Sequence, residues 1–290
     1  MNYLFSTVSV ADTCSWFEVP LFPAIFIESG CPVYFWSNQL GTEETNLNAW
    51  DVKASFLNLT DISIKNFTKR NPIKYKYDGD LLSSFFESRD SDGQQKSLDI
   101  IHLMGSHVAP QDRYPNEFAV FKDEDYSYRQ DLNKEQRAHI ANYDNSVLYN
   151  DHILGRILDY YRDKNSIVIY LSDHGDEVND FRSHIGRAFD FKETGKQVFQ
   201  NQLDVPFIIY VSEKYKEQHS NIVQRLANSV DIPFVTDKTS QILLDIAGIN
   251  SKWCKPELCP INNNYIYPKR YFINPTNDEI IDYDAYCSPN

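Results

Sequence analysis

The tetrapeptide Ser172-Asp173-His174-Gly175 is the strongest chemical signal in the sequence. It follows directly on a continuous apolar segment that ends at Leu171. A carboxylate and an imidazole side by side on a strand-to-loop turn can both reach one Zn²⁺ ion, and Gly175 would let the backbone turn away sharply. A purely structural interpretation stays open, in which Asp173 caps the next helix and His174 lies on the surface.

Two further histidines fall in loops near the same predicted edge. His107 follows a second apolar segment in Gly105-Ser106-His107, and His184 lies in the loop after the Asp-His pair. A single histidine is more often structural than catalytic. Three of the seven histidines at one edge support a shared functional site, but they leave the structural interpretation equally open.

Ser15 is a candidate nucleophile with a competing structural explanation. Together with Glu18 it forms a capping-box pattern, which by itself accounts for both residues. The functional hypothesis uses the same geometry, because a hydroxyl at a helix N-terminus faces N–H groups and a dipole that stabilise a phosphoryl group. A bound metal would make that hydroxyl nucleophilic. The residues alone favour the cap.

The segments that must position these residues are predicted from apolar patterning. A long helix is predicted between Asn133 and Lys164, where apolar residues recur every three or four positions and Asn133 with Gln136 forms a cap. A shorter helix is predicted over 240–249. Strands are predicted over 32–36, 98–104, 166–171 and 205–211.

This order of elements predicts a three-layer α/β/α fold. In such folds ligands gather beyond the carboxyl ends of the strands, and those ends carry Asn38, His107, Asp173 and His174. From Gly41 to about Asp92 the sequence is polar and gives only weak signals.

Composition narrows the class of protein. The chain has 290 residues, enough for one sizeable core, and its net charge of −13 argues against a nucleic-acid partner. No apolar run approaches the ~20 residues that span a bilayer, and the first residues lack a signal peptide pattern, so we expect the chain as written to be soluble. Cys254 and Cys259 are close enough in sequence to bridge, and the odd count of five cysteines leaves at least one unpaired.

Several segments together resemble the phosphoethanolamine transferases that modify lipid A and lipopolysaccharide core, within the alkaline-phosphatase superfamily. A stretch over 5–20 resembles the family segment in which a Thr is phosphorylated, with Ser15 at the matched position and Thr13 at a neighbouring one. The resemblance covers about residues 5–249. The other matching segments, in the family's order, are 102–107, 113–118, Tyr143-Asp144-Asn145 with Asp151, 172–175, His184-Ile185-Gly186 and Val205-Pro206.

The resemblance implies a sulfatase-like, alkaline-phosphatase fold that uses one or two Zn²⁺ ions. It implies metal ligation by Asp173, His174 and Ser15, with His107 and His184 binding the phosphoryl group or a second metal. It implies transfer of phosphoethanolamine from phosphatidylethanolamine to lipid A or a lipopolysaccharide sugar, through a phosphorylated Ser15. It also implies an inner-membrane protein that faces the periplasm and is anchored through an N-terminal segment missing from this sequence.

One departure from the family bears on the metal site. The family's first strand ends in a Glu that is a metal ligand, and nothing before Phe5 can supply it; Asp12 could take that role. We therefore expect an N-terminally truncated fold, with a catalytic domain over 1–250 that lacks its first strand and a C-terminal extension over 251–290. Because one ligand is missing, a catalytically dead fragment is one alternative.

A sulfatase-like hydrolase of phosphodiesters or sulfate esters is the other alternative. A formylglycine sulfatase is disfavoured, because the segment Cys254-Lys255-Pro256 continues to Leu258 where that class requires Arg.

Overall fold

In a computed structural model of the chain, the described residues are 2–39, 66–71, 73–93, 96–181, 183–187, 196–274 and 279–287. They form nine strands: β1 (Val33–Ser37), β2 (Lys69–Arg70), β3 (Leu98–His102), β4 (Ile167–Leu171), β5 (Glu177–Val178), β6 (Ile185–Gly186), β7 (Phe207–Val211), β8 (Tyr271–Ile273) and β9 (Ile280–Asp282).

The described residues also form nine α-helices: α1 (Asn2–Phe5), α2 (Phe22–Glu28), α3 (Asp78–Asp92), α4 (Lys134–Arg162), α5 (Lys196–Leu203), α6 (Glu213–Gln218), α7 (Ser220–Asn228), α8 (Thr239–Ile246) and α9 (Tyr283–Cys287). Short 3₁₀ helices cover Pro110–Asp112, Asn116–Phe118, Asp123–Tyr126, Thr236–Lys238 and Pro256–Leu258. None of the described helices is both long enough and apolar enough to cross a membrane.

The central sheet is parallel, with strand order β2-β1-β3. Its register pairs Val33 with Leu98 and Ser37 with His102. β4 pairs with β7 instead, and this pair is antiparallel. A continuous apolar sequence such as that of β4 indicates that both faces of the strand are covered. It does not determine whether the strand pairs in parallel or antiparallel.

Helices cover both faces of β1. Val33 and Phe35 pack with Phe5 of α1, Phe22 of α2 and Leu244 of α8. Tyr34 and Trp36 point to the opposite face and pack with Leu81 and Phe85 of α3. The predicted α/β/α layering is thereby confirmed.

The long helix α4 begins at the predicted cap. The Asn133 side chain accepts a hydrogen bond from the Gln136 N–H at 2.9 Å, and the Gln136 side chain accepts one from the Asn133 N–H at 2.9 Å. Such a cap stabilises a helix by about 1 kcal/mol. The four predicted strands and the helix over 240–249 are also found, within a few residues of their predicted ends.

The polar region that gave weak sequence signals contains helix α3 and the short strand β2, while residues 40–65 lie outside the described part. Arg89 of α3 pairs with Asp99 of β3 at 3.3 Å and lies 4.1 Å from the ring centre of Tyr34. The Tyr161 hydroxyl of α4 donates to Asp99 at 2.6 Å. Asp99 therefore connects the sheet to both helices that cover this face.

Residues after position 250 pack against the rest of the chain. Cys254 contacts the cluster around Phe35, whereas Cys259 packs with Ile242 and Ile261 in another cluster. All five cysteines are free thiols, so Cys254 and Cys259 do not form the bridge that their spacing left open. The 3₁₀ helix between the two residues carries them into different apolar clusters.

Candidate active site

The turn after β4 has the local structure that its sequence requires. The Ser172 hydroxyl donates to the carbonyl of His174 at 2.7 Å, which closes the turn. A Cβ atom on Gly175 would lie 2.3 Å from the Asn201 carbonyl oxygen, and the Gly175 N–H donates to the Gln202 carbonyl at 2.9 Å. Glycine is needed here for close backbone approach, rather than for the sharp turn predicted from sequence.

Asp173 and His174 are arranged as two ligands of one ion would be. The Asp173 Oδ1 and His174 Nε2 atoms lie 3.7 Å apart. Two ligands about 2.1 Å from a tetrahedral Zn²⁺ would be about 3.4 Å apart. His174 Nδ1 lies 3.1 Å from the Gly175 carbonyl oxygen, which favours a proton on Nδ1 and leaves Nε2 free to ligate.

A complete zinc site is not preformed in the described part of the chain. No three carboxylate, imidazole or thiol groups there cluster closely enough to hold a metal ion. Asp176 Oδ1 lies 3.7 Å from His174 Nδ1, the ring nitrogen opposite the one that faces Asp173, so it does not complete the pair as a third ligand. The donor types suit Zn²⁺, but the described residues supply only part of a four-ligand site.

His107 is carried by a loop that is braced at several points. The buried Asp78 carboxylate accepts hydrogen bonds from the N–H groups of Met104 at 3.0 Å and Gly105 at 2.9 Å. Arg113 Nε donates to the His107 carbonyl at 3.1 Å. Gly105 has φ +56°, a left-handed conformation that glycine adopts without strain.

The electrostatic surroundings keep His107 neutral. Burial lowers its pKa, nearby Arg187, His174 and Arg113 lower it further, and Asp173 opposes them. His107 lines the same cavity as the Asp-His pair. A neutral imidazole at pH 7 can ligate a metal or donate a hydrogen bond, while Arg187 is the better source of positive charge.

One cavity connects these residues. It has a volume of about 1270 Å³ and is lined by the loops that follow β3 and β4, including His107, Asp173, His174 and Asp176. Of the residues predicted to gather beyond the strand ends, His107, Asp173 and His174 line this cavity. Asn38 does not join them, because its buried amide donates to Asp78 at 3.0 Å.

Ser15 lies in a turn, which corrects its expected place at a helix N-terminus. Its N–H donates to the Glu18 carboxylate at 2.5 Å, as in a capping box, but the next helix begins only at Phe22. Neither Ser15 nor Thr13 lines the cavity, and no hydrogen bond joins either residue to Asp173 or His174 within the described residues. Asp12 accepts a hydrogen bond from the Ser9 N–H at 2.7 Å. The role of Ser15 as nucleophile stays a prediction.

His184 does not line the cavity. Its Nε2 atom is 3.3 Å from the Arg187 carbonyl oxygen, and its own carbonyl accepts from the Asn179 N–H at 2.9 Å. These contacts place it in the β5–β6 hairpin, and its predicted role in phosphoryl or metal binding stays untested.

Sequence reasoning missed Asp78, Asp176, Arg187 and the buried His102. Asp176 and Arg187 could have been found from the sequence, because Asp176 lies two residues after His174 and Arg187 three residues after His184. Asp78 gave no signal, since its contacts lie more than 25 residues away along the chain.

Comparison with known proteins assigns the family. The family profile described as Sulfatase matches residues 4–234, which is most of the chain. The chain belongs to the sulfatase family. Within that family, the match includes the strand ends that carry His107, Asp173 and His174.

Curated relatives of this sulfatase-family chain carry transferase names, which confirms the resemblance drawn from the sequence. The chain is 28% identical to phosphoethanolamine transferase EptC of Escherichia coli O18:K1:H7 over 213 residues, which is 72% of this chain and 36% of the relative. It is 37% identical to the Kdo(2)-lipid A phosphoethanolamine 7''-transferase of Escherichia coli K12 over 134 residues, 46% of this chain and 22% of the relative. The chain thus spans about a third or less of the length of these relatives.

A solved structure confirms the sulfatase-like, alkaline-phosphatase fold. The C-terminal periplasmic domain of EcEptC from Escherichia coli, in a complex with Zn, superimposes with a TM-score of 0.76 and 22% identity. The superposition covers 98% of this chain and 77% of that chain.

Proposed function

We propose that this chain is the catalytic, periplasm-facing part of a phosphoethanolamine transferase anchored in the inner membrane. Its donor is phosphatidylethanolamine and its acceptor is lipid A or a lipopolysaccharide sugar. The observation that carries the proposal is the pairing of Asp173 with His174 at 3.7 Å, in one cavity with His107. The transferase names and the Zn complex of the relatives support the substrate class and the metal.

The proposed reaction has two displacements at phosphorus. In the first, the Ser15 hydroxyl oxygen forms a bond to phosphorus, the bond from phosphorus to the diacylglycerol oxygen breaks, and the hydroxyl proton ends on diacylglycerol. In the second, an acceptor oxygen bonds to phosphorus and Ser15 leaves with a proton. Thr13 is the alternative nucleophile.

Asp173 and His174, together with the Ser15 oxygen, are the proposed zinc ligands. When bound, the ion would supply Lewis acidity that lowers the pKa of the attacking hydroxyl. His107, being neutral, would donate a hydrogen bond to a phosphoryl oxygen or help to hold a second ion, with His184 as a further candidate for either role. Arg187 would balance the negative charge of the phosphoryl group.

Intact-mass and peptide mapping after incubation with phosphatidylethanolamine in detergent micelles and Zn²⁺ tests this proposal. We expect a phosphoethanolamine adduct on the peptide that contains Ser15. The adduct should disappear in Ser15→Ala and persist in the matched control Thr13→Ala. An adduct that survives Ser15→Ala but is lost in Thr13→Ala would make Thr13 the nucleophile. An adduct that survives both substitutions would exclude both residues as the nucleophile.

An inactive chain is the second candidate, and the incomplete zinc site favours it. Within the described residues no group of three carboxylate, imidazole or thiol side chains is placed to hold one ion, and structural zinc requires four ligands. Elemental analysis separates the two candidates, because a near-stoichiometric zinc content contradicts the inactive chain. Turnover of p-nitrophenyl sulfate without lipid transfer would instead indicate a hydrolase.

A further inference from the structure

A second cavity opens beside the first turn of α4, and it shares no described lining residue with the cavity that holds the Asp-His pair. Its volume is about 320 Å³, at the lower end of the range for ligand pockets. The first turn of α4, the segment before it and the β5–β6 hairpin form its walls, which include Arg129, Asp131, Gln136, Asn179, Asp180 and Phe181. None of these residues has a role in the proposed transfer reaction.

The hairpin is fixed against the helix by side-chain hydrogen bonds. Gln136 Nε2 donates to Ser183 Oγ at 2.7 Å and, over a longer distance, to Asn179 Oδ1 at 3.3 Å. Arg129 Nη2 donates to the Asn179 carbonyl at 2.8 Å. Asn179 is therefore held through both its backbone and its side chain, so this wall of the cavity is formed before any ligand arrives.

The side-chain amide of Asn179 lacks one hydrogen-bond partner. The residue is only 2% exposed, and its Nδ2 atom has no acceptor among the described residues. Turning the amide around does not solve this, because its nitrogen would then face the Gln136 Nε2 donor. Gln136 is itself held, since its Oε1 accepts from the Asn133 N–H at 2.9 Å. A buried donor without an acceptor is costly, and a ligand oxygen in the cavity would supply the acceptor.

The charges around the cavity select against ions of either sign. Arg129 is the cation among the described lining residues, and Asp131 already binds it through both carboxylate oxygens, at 2.9 and 2.7 Å. Asp180 adds a second carboxylate, which would repel an anion. A cation would lie at the positive end of the α4 dipole, next to the Arg129 guanidinium. A neutral ligand therefore suits this lining best.

The remaining features of the lining match a sugar ring. Asn179 offers a donor, and the Asp180 carboxylate, which accepts from the Val178 N–H at 3.0 Å, has further lone pairs for a ligand hydroxyl. Sugar hydroxyls both donate and accept hydrogen bonds, so one ring can use both groups. The Phe181 side chain is 45% exposed, and its flat apolar face can cover the C–H face of such a ring. We infer that this cavity binds one neutral sugar ring, with Phe181 packed against it.

The cavity lies close to the larger one. Gln136 and Tyr143 are seven positions apart on one face of α4, which is two turns or about 10.5 Å, and Tyr143 lines the larger cavity. The Asn179 N–H donates to the His184 carbonyl at 2.9 Å. The identity of the ring rests on the proposed function: it is a sugar of the lipopolysaccharide acceptor, held beside the cavity in which transfer occurs.

Chemical-shift titration of the ¹⁵N-labelled full chain tests the inference. The probes are the methyl glycosides of glucose, galactose and mannose, added without Zn²⁺ or phospholipid, so that the outcome does not depend on transfer. We expect saturable shifts at the amides of Asn179, Phe181 and Ser183 with at least one glycoside. Inorganic phosphate and ethanolamine, the charged comparison probes, should give no saturable shifts at these amides.

Two substitutions remove the proposed contacts and keep the backbone conformation accessible. Asn179 has φ +57°, which glycine adopts freely, so Asn179→Gly removes the amide and keeps the turn. Phe181→Ala removes an exposed ring. We expect each to weaken glycoside binding by about fivefold or more. The matched control is Phe121→Ala, which removes another exposed ring outside the cavity and should bind glycosides as the wild type does.

The inference is overturned if none of the three glycosides gives saturable shifts at these amides, or if phosphate binds there more tightly than they do. Binding that is unchanged in both Phe181→Ala and Asn179→Gly would also overturn it, because the glycoside would then lie elsewhere. Unchanged shifts in the rest of the chain report that each variant is folded.

A kinetic measurement tests whether the ring belongs to the acceptor. Phe181→Ala should raise the KM for lipopolysaccharide by about the factor by which it weakens glycoside binding, whereas Phe121→Ala should leave that KM unchanged. An unchanged KM in Phe181→Ala would overturn the assignment to the acceptor. Glycoside binding in a chain that transfers nothing would refute the proposed function and leave the sugar site standing.

Discussion

The Asp78 carboxylate accepts a hydrogen bond from the Gly105 N–H at 2.9 Å, which ties the first turn of helix α3 to the loop that carries His107. The same carboxylate accepts from Met104 and from the amide of Asn38. Burial raises the pKa of Asp78, and these three hydrogen bonds oppose that rise. Asp78 is therefore a positioning residue for His107.

Replacing this carboxylate should loosen the loop. We expect Asp78→Ala to lower the free energy of unfolding by about 2–4 kcal/mol, because three donors lose a buried acceptor. Urea denaturation measures the loss. The matched control is Asp80→Ala in the same helical turn, where the side chain is exposed and the cost should stay below about 1 kcal/mol. Equal costs for the two variants would contradict the bracing role.

Two glycines should respond oppositely to the same substitution. Gly175→Ala places a Cβ atom 2.3 Å from the Asn201 carbonyl oxygen, so the turn that carries His174 must shift. We expect a loss of about 2 kcal/mol or more in unfolding free energy, as for other overpacked sites. Gly155→Ala lies inside α4 with open space around it and should stabilise by up to about 1 kcal/mol. A harmless Gly175→Ala would refute the close approach.

His102 should make stability depend on pH in the acid range. Burial lowers its pKa from 6.5 to about 4 in the folded chain. Between these values the unfolded chain binds a proton that the folded chain does not, so stability falls as pH drops from about 6.5 to about 4. The shift corresponds to at most about 3 kcal/mol.

Urea denaturation at about pH 7 and about pH 4.5 tests this dependence. In His102→Gln the difference between the two unfolding free energies should shrink by most of that amount. The exposed His152 of α4 provides the matched control, because His152→Gln should leave the difference unchanged. An unaltered pH difference in His102→Gln would exclude the buried imidazole as its cause.

Zinc affinity should depend on both members of the Asp-His pair. We expect Asp173→Ala and His174→Ala each to weaken Zn²⁺ binding by at least about tenfold. Replacing a residue that only hydrogen-bonds to a metal ligand already lowers metal affinity by about that factor. Isothermal titration with Zn²⁺ measures the change, and His152→Ala is the control for general histidine binding. Wild-type affinity in either pair variant would remove that residue from the site.

The sequence predicted those parts of the fold that depend on local patterns. Helix α4 was predicted correctly because both of its signals, the helical spacing of apolar residues and the Asn133–Gln136 cap, lie within one segment of the sequence. Strand β4 and the pair at its end were found for the same reason. The pairing of β4 with β7 and the cavity that β3 and β4 line depend on contacts between distant segments, and an apolar run does not encode them.

Ser15 shows why a local pattern can also mislead. Its N–H bonds to the Glu18 carboxylate, and this hydrogen bond closes a turn as readily as it starts a helix. Pro20 follows two residues later, and a helix that began at Ser15 would lose its backbone donor there. The capping pattern was present, but the helix begins later, at Phe22.

The pairing of β1 with β3 also determines the order in which the chain can acquire its structure. Val33 pairs with Leu98, about 65 residues further along, whereas α4 depends on contacts within one segment. At ~5–20 residues per second of synthesis, β1 would wait roughly 3–13 seconds for this partner. During that interval Phe35 and Trp36, which are fully buried in the folded chain, are exposed and can contact other chains. Newly made β1 is therefore a segment that we expect a chaperone to shield.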